Sequence, residues 1–203
     1  MNMKRQSVAG LILAGGQGSR MGGVDKGLVE LDGRPLVAHV IERLRPQVDS
    51  LLINANRNAE AYAQFGVPVL ADRSGGFIGP LAGLDAALAS PPPGIEWIVT
   101  CPCDSPFLPL DLVSRLLAAA EREGAELAMP IAEGQFQPVF LLARLGVADS
   151  LAAYLAGDGR KIDRWVRSRP HVIVDFEDCA EAFANINTRD ELARHATRGG
   201  TDH

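Results

Sequence analysis

Between residues 7 and 125 short apolar runs alternate with longer amphipathic ones, a pattern that fits few architectures. Ser7 to Ala14, rich in Val, Ile and Leu, reads as a strand buried on both faces. From Pro35 to Val48 the positions Leu36, Val37, Val40, Ile41, Leu44 and Val48 fall on one helical stripe, with Pro35 suited to the first turn. SLLINA (50–55) is the second strand, a short helix covers Ala59 to Phe65, and PVLAD (68–72) is the third strand. RSGGFIGP breaks the chain, and Pro80 starts a helix lined by Leu81, Leu84 and Leu88 until SPPPG stops it. EWIVTCPCD (96–104) is a fourth buried strand, and Leu112, Val113, Leu116 and Leu117 mark the next helix.

Beyond residue 125 the pattern loosens. AELAMPIA and PVFLLA read as strands separated by GQFQ; Leu145 to Leu155 and Lys161 to Val166 read as helices, and HVIVDF as a late strand. Thr188 and Glu191 have capping-box spacing, and residues 197–203 read as a frayed tail. A βαβαβ series of this kind predicts an α/β fold, a three-layer α/β/α sandwich with a mostly parallel central sheet and its ligand at the carboxyl ends of the strands.

Composition narrows the function classes. The chain has 203 residues, 47% of them apolar, which supports one domain with a sizeable core. A net charge of −5 and only 5% aromatic residues argue against a nucleic-acid groove. No apolar run is long enough to span a bilayer, and MNMKRQSVAGLILAGG is too short and glycine-rich for a secretory leader, so a cytoplasmic protein without membrane contact is expected. Cys101, Cys103 and Cys179 form no disulfide framework or paired zinc spacing, which leaves oxygen ligands for any metal. A monomer acting on small molecules is the expectation.

If ligands sit where strands end, four places stand out: the loop after the first strand, residues 54–58, Asp72 with Arg73, and residues 101–106. LILAGGQGSRMGGVDKG (11–27) is neither a dinucleotide fingerprint, because Met21 stands where the third glycine belongs, nor a Walker A loop, because Gly27 follows Lys26. Gly15, Gly16 and Gly18 nevertheless let backbone N–H groups approach a ligand, and Arg20 and Lys26 add cations suited to polyphosphate. Glycine density alone would equally describe a solvated surface turn.

Asp104 ends an otherwise apolar strand, and the following Ser105-Pro106 is expected to expose its carboxylate. Alone it reads as a turn or N-cap aspartate; across a crevice from a cationic glycine loop it reads as a ligand for Mg²⁺, which takes one or two carboxylates plus substrate phosphates. Asn54 and Asp72 are short polar groups at the ends of neighbouring strands. Asp72 suits the N1–H and N2–H₂ donors of guanine or the hydroxyls of ribose, and turn-forming roles fit both residues as well. The four histidines show no ligand spacing, His39 reads as a helix-surface residue, and Cys101 and Cys103 read as buried thiols on one strand face.

L13-A-G-G16, R20-M-G-G-V-D-K26, N54-A-N, D72, G79-P-L-A-G83, C101-P-C-D104 and N185-I-N-T188 together resemble the molybdenum cofactor guanylyltransferase family over essentially the whole chain. LAGG, RMG and DK alone would mark only the broader nucleotidyltransferase superfamily. The resemblance implies a Rossmann-like, nucleotide-diphospho-sugar transferase-like fold and transfer of GMP from GTP to the terminal phosphate of Mo-molybdopterin, with Mg²⁺ and release of pyrophosphate. It further implies that Leu13, Ala14 and Gly15 meet the nucleotide through backbone, that Lys26 and Arg20 meet phosphates, that Asn54 and Asp72 hold the nucleoside, and that Asp104 binds metal. Asn185 and Asn187 would lie on the pterin side. Residues of about 7–125 would bind nucleotide and about 126–196 the pterin, with molybdenum-insertion and molybdoenzyme maturation proteins as transient partners. The alternatives are a cytidylyltransferase, whose branch tends towards LAAG, a sugar-phosphate nucleotidyltransferase, and a non-catalytic nucleotide or pterin carrier.

Overall fold

The computed structural model describes residues 6–14, 25–73 and 79–186. The loop glycines Gly15, Gly16 and Gly18, together with Arg20, Asn187, the Thr188/Glu191 capping box and the tail, lie outside the described residues. Strand β1 is Val8–Leu13, buried throughout as its composition requires. A 3-10 turn, Lys26–Leu28, leads into the small hairpin of β2 (Glu30–Leu31) and β3 (Arg34–Pro35). Its Asp32 and Gly33 both take positive φ, the type I′ chemistry that an Asp-Gly pair favours.

Helix α1 is Leu36–Leu44, and the stripe that the periodicity extended to Val48 gives way to a 3-10 turn at Arg45–Gln47, where Pro46 cannot continue the ladder. Strand β4 (Ser50–Asn54), α2 (Ala59–Ala63), β5 (Val69–Leu70), α3 (Pro80–Ala89), β6 (Trp97–Pro102) and α4 (Leu112–Glu123) follow in the predicted order. Gly124, with φ of +61°, supplies the left-handed residue that ends α4.

The second half departs further from the periodicity reading. Strand β7 (Leu127–Ala132) turns at Glu133 and Gly134, both at positive φ, into β8 (Gln135–Phe136), a strand where GQFQ reads as a plain separator. Of PVFLLA only the end is strand, β9 (Leu142–Arg144), because Val139 to Leu141 cross over while Thr100 Oγ donates to the Val139 carbonyl. A 3-10 turn (Leu145–Val147), α5 (Ala148–Ala156), α6 (Ile162–Arg167), β10 (His171–Asp175) and a 3-10 segment (Glu177–Phe183) complete the described chain.

The strands form one sheet in the order β10-β7-β9-β6-β1-β4-β5, with β8 against β7. Pairings β1·β4, β1·β6, β4·β5 and β7·β10 are parallel, whereas β9 runs antiparallel between β6 and β7. Alternation along β1 assigns Val8 and Ile12 to a core under α1, α2 and α4, and Ala9, Leu11 and Leu13 to a second core under α3, α5 and α6. That is the three-layer α/β/α sandwich. The carboxyl ends of the central strands are level, since Leu13 lies opposite both Asn54 and Pro102. On either side of β1 the chain moves in opposite directions across the sheet, which opens the crevice at a topological switch point.

Candidate active site

Each predicted site residue among the described ones lies at or just past that level edge. Lys26 begins the 3-10 turn, and its Nζ donates to Asp104 Oδ2 at 3.1 Å. The two are in direct contact rather than on opposite walls. Ser105-Pro106 does not expose the carboxylate either: Asp104 is buried, its side chain 11% exposed against 27% for Lys26. A carboxylate so poorly hydrated is stabilised by a fixed cation and presents its remaining lone pairs in one direction.

The turn that carries Lys26 is held from below. Both oxygens of Asp25 accept hydrogen bonds, Oδ1 from the Tyr62 hydroxyl and Oδ2 from Asn58 Nδ2 at 3.1 Å. Tyr62 is fully buried, and burial, the nearby Cys103 thiol and the Asp25 contact all push its phenol up, so it remains a donor. Gly27 sits directly on this pair: a Cβ there would lie 2.5 Å from Tyr62 Oη and 3.1 Å from Cys103 Sγ. The sequence singles out the stretches that hold Asp25 and Asn58, but neither their contact nor Tyr62 is readable from it. Asp25 stands inside the D-K motif and gave a signal, whereas a lone tyrosine on a five-residue helix gives none.

On the far side of β1, Asn54 and Asp72 meet as their adjacent strands predict. Asn54 Nδ2 donates to Asp72 Oδ1 at 2.9 Å and Asn56 Nδ2 to Oδ2 at 2.7 Å, while the Asp72 N–H donates back to Asn56 Oδ1. Asn56 is an addition, legible in N54-A-N as the second amide of an i, i+2 pair. Gly83 of α3 explains how the helix comes so close: a Cβ there would lie 2.5 Å from Asn54 Oδ1 and 2.7 Å from Leu13 Cδ2. The Leu13 carbonyl accepts from Cys103 N–H, and the Ala14 N–H donates to the Asn54 carbonyl. Both bonds carry the sheet pairing on to its level carboxyl edge.

The late segment closes the Asp104 loop. Ile186 N–H donates to the Asp104 carbonyl at 2.9 Å, and Ser105 Oγ donates to Asn185 Oδ1. Asn185 is exposed beside Asp104, while Ile186 is buried with Leu31 and Leu36. Cys101 and Cys103 are buried on one face, as alternation predicts, and burial raises both thiols. His39 is half-buried rather than on the open surface, its Nε2 donating to the Leu31 carbonyl at 3.0 Å.

Among the described residues no cluster of three His, Cys, Asp or Glu side chains could hold a metal. One buried carboxylate does fit Mg²⁺, which completes its shell with phosphate oxygens and water. The level strand edge thus carries a lysine–carboxylate pair on one flank and an Asn-Asp-Asn cluster on the other, chemistry suited to a nucleotide and its phosphates. Comparison with known proteins agrees: residues 10–172 match the MobA-like NTP transferase domain, and the chain belongs to that family.

Among its relatives is the molybdenum cofactor guanylyltransferase of Cupriavidus necator, 55% identical over 202 residues that cover 96% of this chain and 98% of that protein. The protein of the same name from Ralstonia nicotianae is 50% identical over 200 residues, covering 94% and 97% respectively. In three dimensions the chain is similar to molybdopterin-guanine dinucleotide biosynthesis protein A of Archaeoglobus fulgidus, with a TM-score of 0.76, 23% identity and coverage of 96% and 100%.

Proposed function

We propose that this chain transfers GMP from GTP to the terminal phosphate of Mo-molybdopterin, forming the guanine dinucleotide and pyrophosphate. The supporting observation is the Lys26–Asp104 pair, Nζ to Oδ2 at 3.1 Å, at the carboxyl end of β6 in a chain whose full-length relatives carry that activity in their names.

The acceptor phosphate monoester is already anionic near neutral pH. One of its oxygens attacks the α-phosphorus of GTP, the bond from that phosphorus to the β-phosphate bridging oxygen breaks, and pyrophosphate leaves with the electron pair. No strong general base is needed, which suits a site whose buried phenol and thiols are held protonated. The difficulty is electrostatic, two anions brought together and charge gathering on the leaving group. Lys26, fixed by the Asp25 cluster, supplies one cation at that point, and Arg20 of the glycine loop supplies another. Asp104 would hold Mg²⁺, which when bound neutralises charge on the phosphates.

Asp72, oriented by Asn54 and Asn56, presents a carboxylate to the donor groups of the nucleoside, the guanine edge or the ribose hydroxyls. Leu13, Ala14, Gly15, Gly16 and Gly18 would shape the backbone around the nucleotide. Asn185 and Asn187 would line the acceptor side, so that residues of about 7–125 serve GTP and those of about 126–196 the pterin, in a monomer. Among the described residues no helix is long and apolar enough to cross a membrane.

A pyrophosphate-release assay with each nucleoside triphosphate, Mg²⁺ and Mo-molybdopterin tests the reading. Release with GTP and not with CTP, ATP or UTP is expected. Release with CTP alone, or tight GTP binding without release, would overturn it.

A further inference from the structure

Strand β8 occupies a place in the sheet that the nucleotide half does not explain. Because β10 flanks β7 on one side as far as Ile131, β8 pairs with Ile131 and Ala132 on the other, in the slot between β7 and β6 beyond the end of β9. The registers set its level. Val99, Leu142 and Ala128 lie in one row across β6, β9 and β7, so Ile131 and its partner Phe136 are level with Pro102, two residues before Asp104. Phe136 therefore stands one strand position from β6, at the carboxyl edge of the acceptor half.

Phe136 is also one of the exposed large hydrophobic side chains, 39% accessible. Its hairpin is fixed: Glu177 Oε2 accepts from Glu133 N–H at 2.9 Å and Oε1 from Gly134 N–H at 2.8 Å, which ties the turn to the end of β10. The guanidinium of Arg167, at the end of α6, lies over the ring at 5.2 Å from its centroid. Lys161 and Arg164 of the same stretch are exposed as well. An exposed aromatic ring on a tied hairpin, backed by one cation, matches a flat heteroaromatic ligand that carries negative charge elsewhere.

We propose that Phe136 and Arg167 form the platform on which the pterin ring of the acceptor stacks, making them specificity-determining residues for the acceptor. This rests on the reading that the acceptor is Mo-molybdopterin. Stacking on Phe136 orients the ring so that its phosphate points along the sheet edge towards Asp104, and Arg167 both holds the phenyl plane and offsets the ligand's charge. The platform contributes to acceptor binding and leaves the nucleotide flank untouched.

The test compares wild type with Phe136→Ala, Phe136→Trp and Arg167→Gln by steady-state transfer and by calorimetric titration of Mo-molybdopterin without GTP. Phe136→Ala is expected to raise the acceptor KM and Kd about tenfold, the scale of one lost base-on-aromatic stack. Its KM for GTP stays at the wild-type value, Phe136→Trp restores acceptor binding, and Arg167→Gln weakens it in the same direction. A Phe136→Ala protein that matches wild type in both measurements overturns the platform while leaving guanylyl transfer intact, as does failure of the wild type to bind Mo-molybdopterin in a preparation that turns over. Wild type that binds Mo-molybdopterin through Phe136 but transfers no GMP upholds the platform and overturns the functional reading.

Discussion

At the scale of single residues the proposed site turns on the Lys26–Asp104 ion pair. On the mechanism proposed, replacing Lys26 by Ala, or Asp104 by Asn, is expected to lower kcat by about 10²-fold or more, because each would remove a preorganised charge from the developing pyrophosphate or its metal. Circular dichroism should show both variants folded, because the Ile186 contact to residue 104 uses backbone and survives either change. The cysteines give a second measurement. Burial raises the Cys101 thiol and encloses Cys103, whereas Cys179 is only half-buried. Burial and Asp178 raise the Cys179 thiol as well, so access decides the order: a thiol reagent at pH 8 should label Cys179 first and reach Cys101 and Cys103 only after unfolding. Lys26, Asn54, Asp72 and Asp104 could all be named from the sequence because each follows a recognisable strand. Tyr62 could not, and Asn58 only as part of the flagged stretch 54–58, since both act by meeting Asp25 across the fold and no local spacing encodes such a meeting.

Elements show a similar division. Strands β1, β4 and β6 and helices α1, α3 and α4 are legible because their periodicity is long and buried. Strand β8 is two residues held by a positive-φ turn and by Glu177 just past β10, so its hairpin leans on a residue 43 positions from Gly134. Asp32-Gly33 and Glu133-Gly134 both turn through positive φ, and periodicity alone shows neither hairpin. The seating of α3 yields an expectation at this scale. Gly83→Ala places a methyl 2.5 Å from Asn54 Oδ1, and the helix must shift. We expect a loss of about 1–3 kcal/mol in denaturant unfolding, the usual cost of overpacking. The KM for GTP should rise with little change in kcat, because Asn54 orients Asp72 and touches no reacting atom.

For the whole molecule, the two cores share the strands between them, with Ile12 and Leu11 successive residues of β1 facing opposite layers. Disrupting one layer therefore loosens the sheet that the other packs against. Leu44→Ala, on α1, and Leu84→Ala, on α3, are each expected to cost about 2–5 kcal/mol. Both should shift one unfolding transition seen alike by circular dichroism and tryptophan fluorescence; two separated transitions would show that the layers unfold independently. The contacts of Asn185 and Ile186 with the Asp104 loop have a consequence in time. Domains emerge from the ribosome amino end first, so the glycine loop, Lys26 and Asp104 are all made before the residues that fasten the loop. A chain still in synthesis thus holds most of the residues we assign to GTP before the contacts that fasten the Asp104 loop can form, and completes them only as its last tenth arrives.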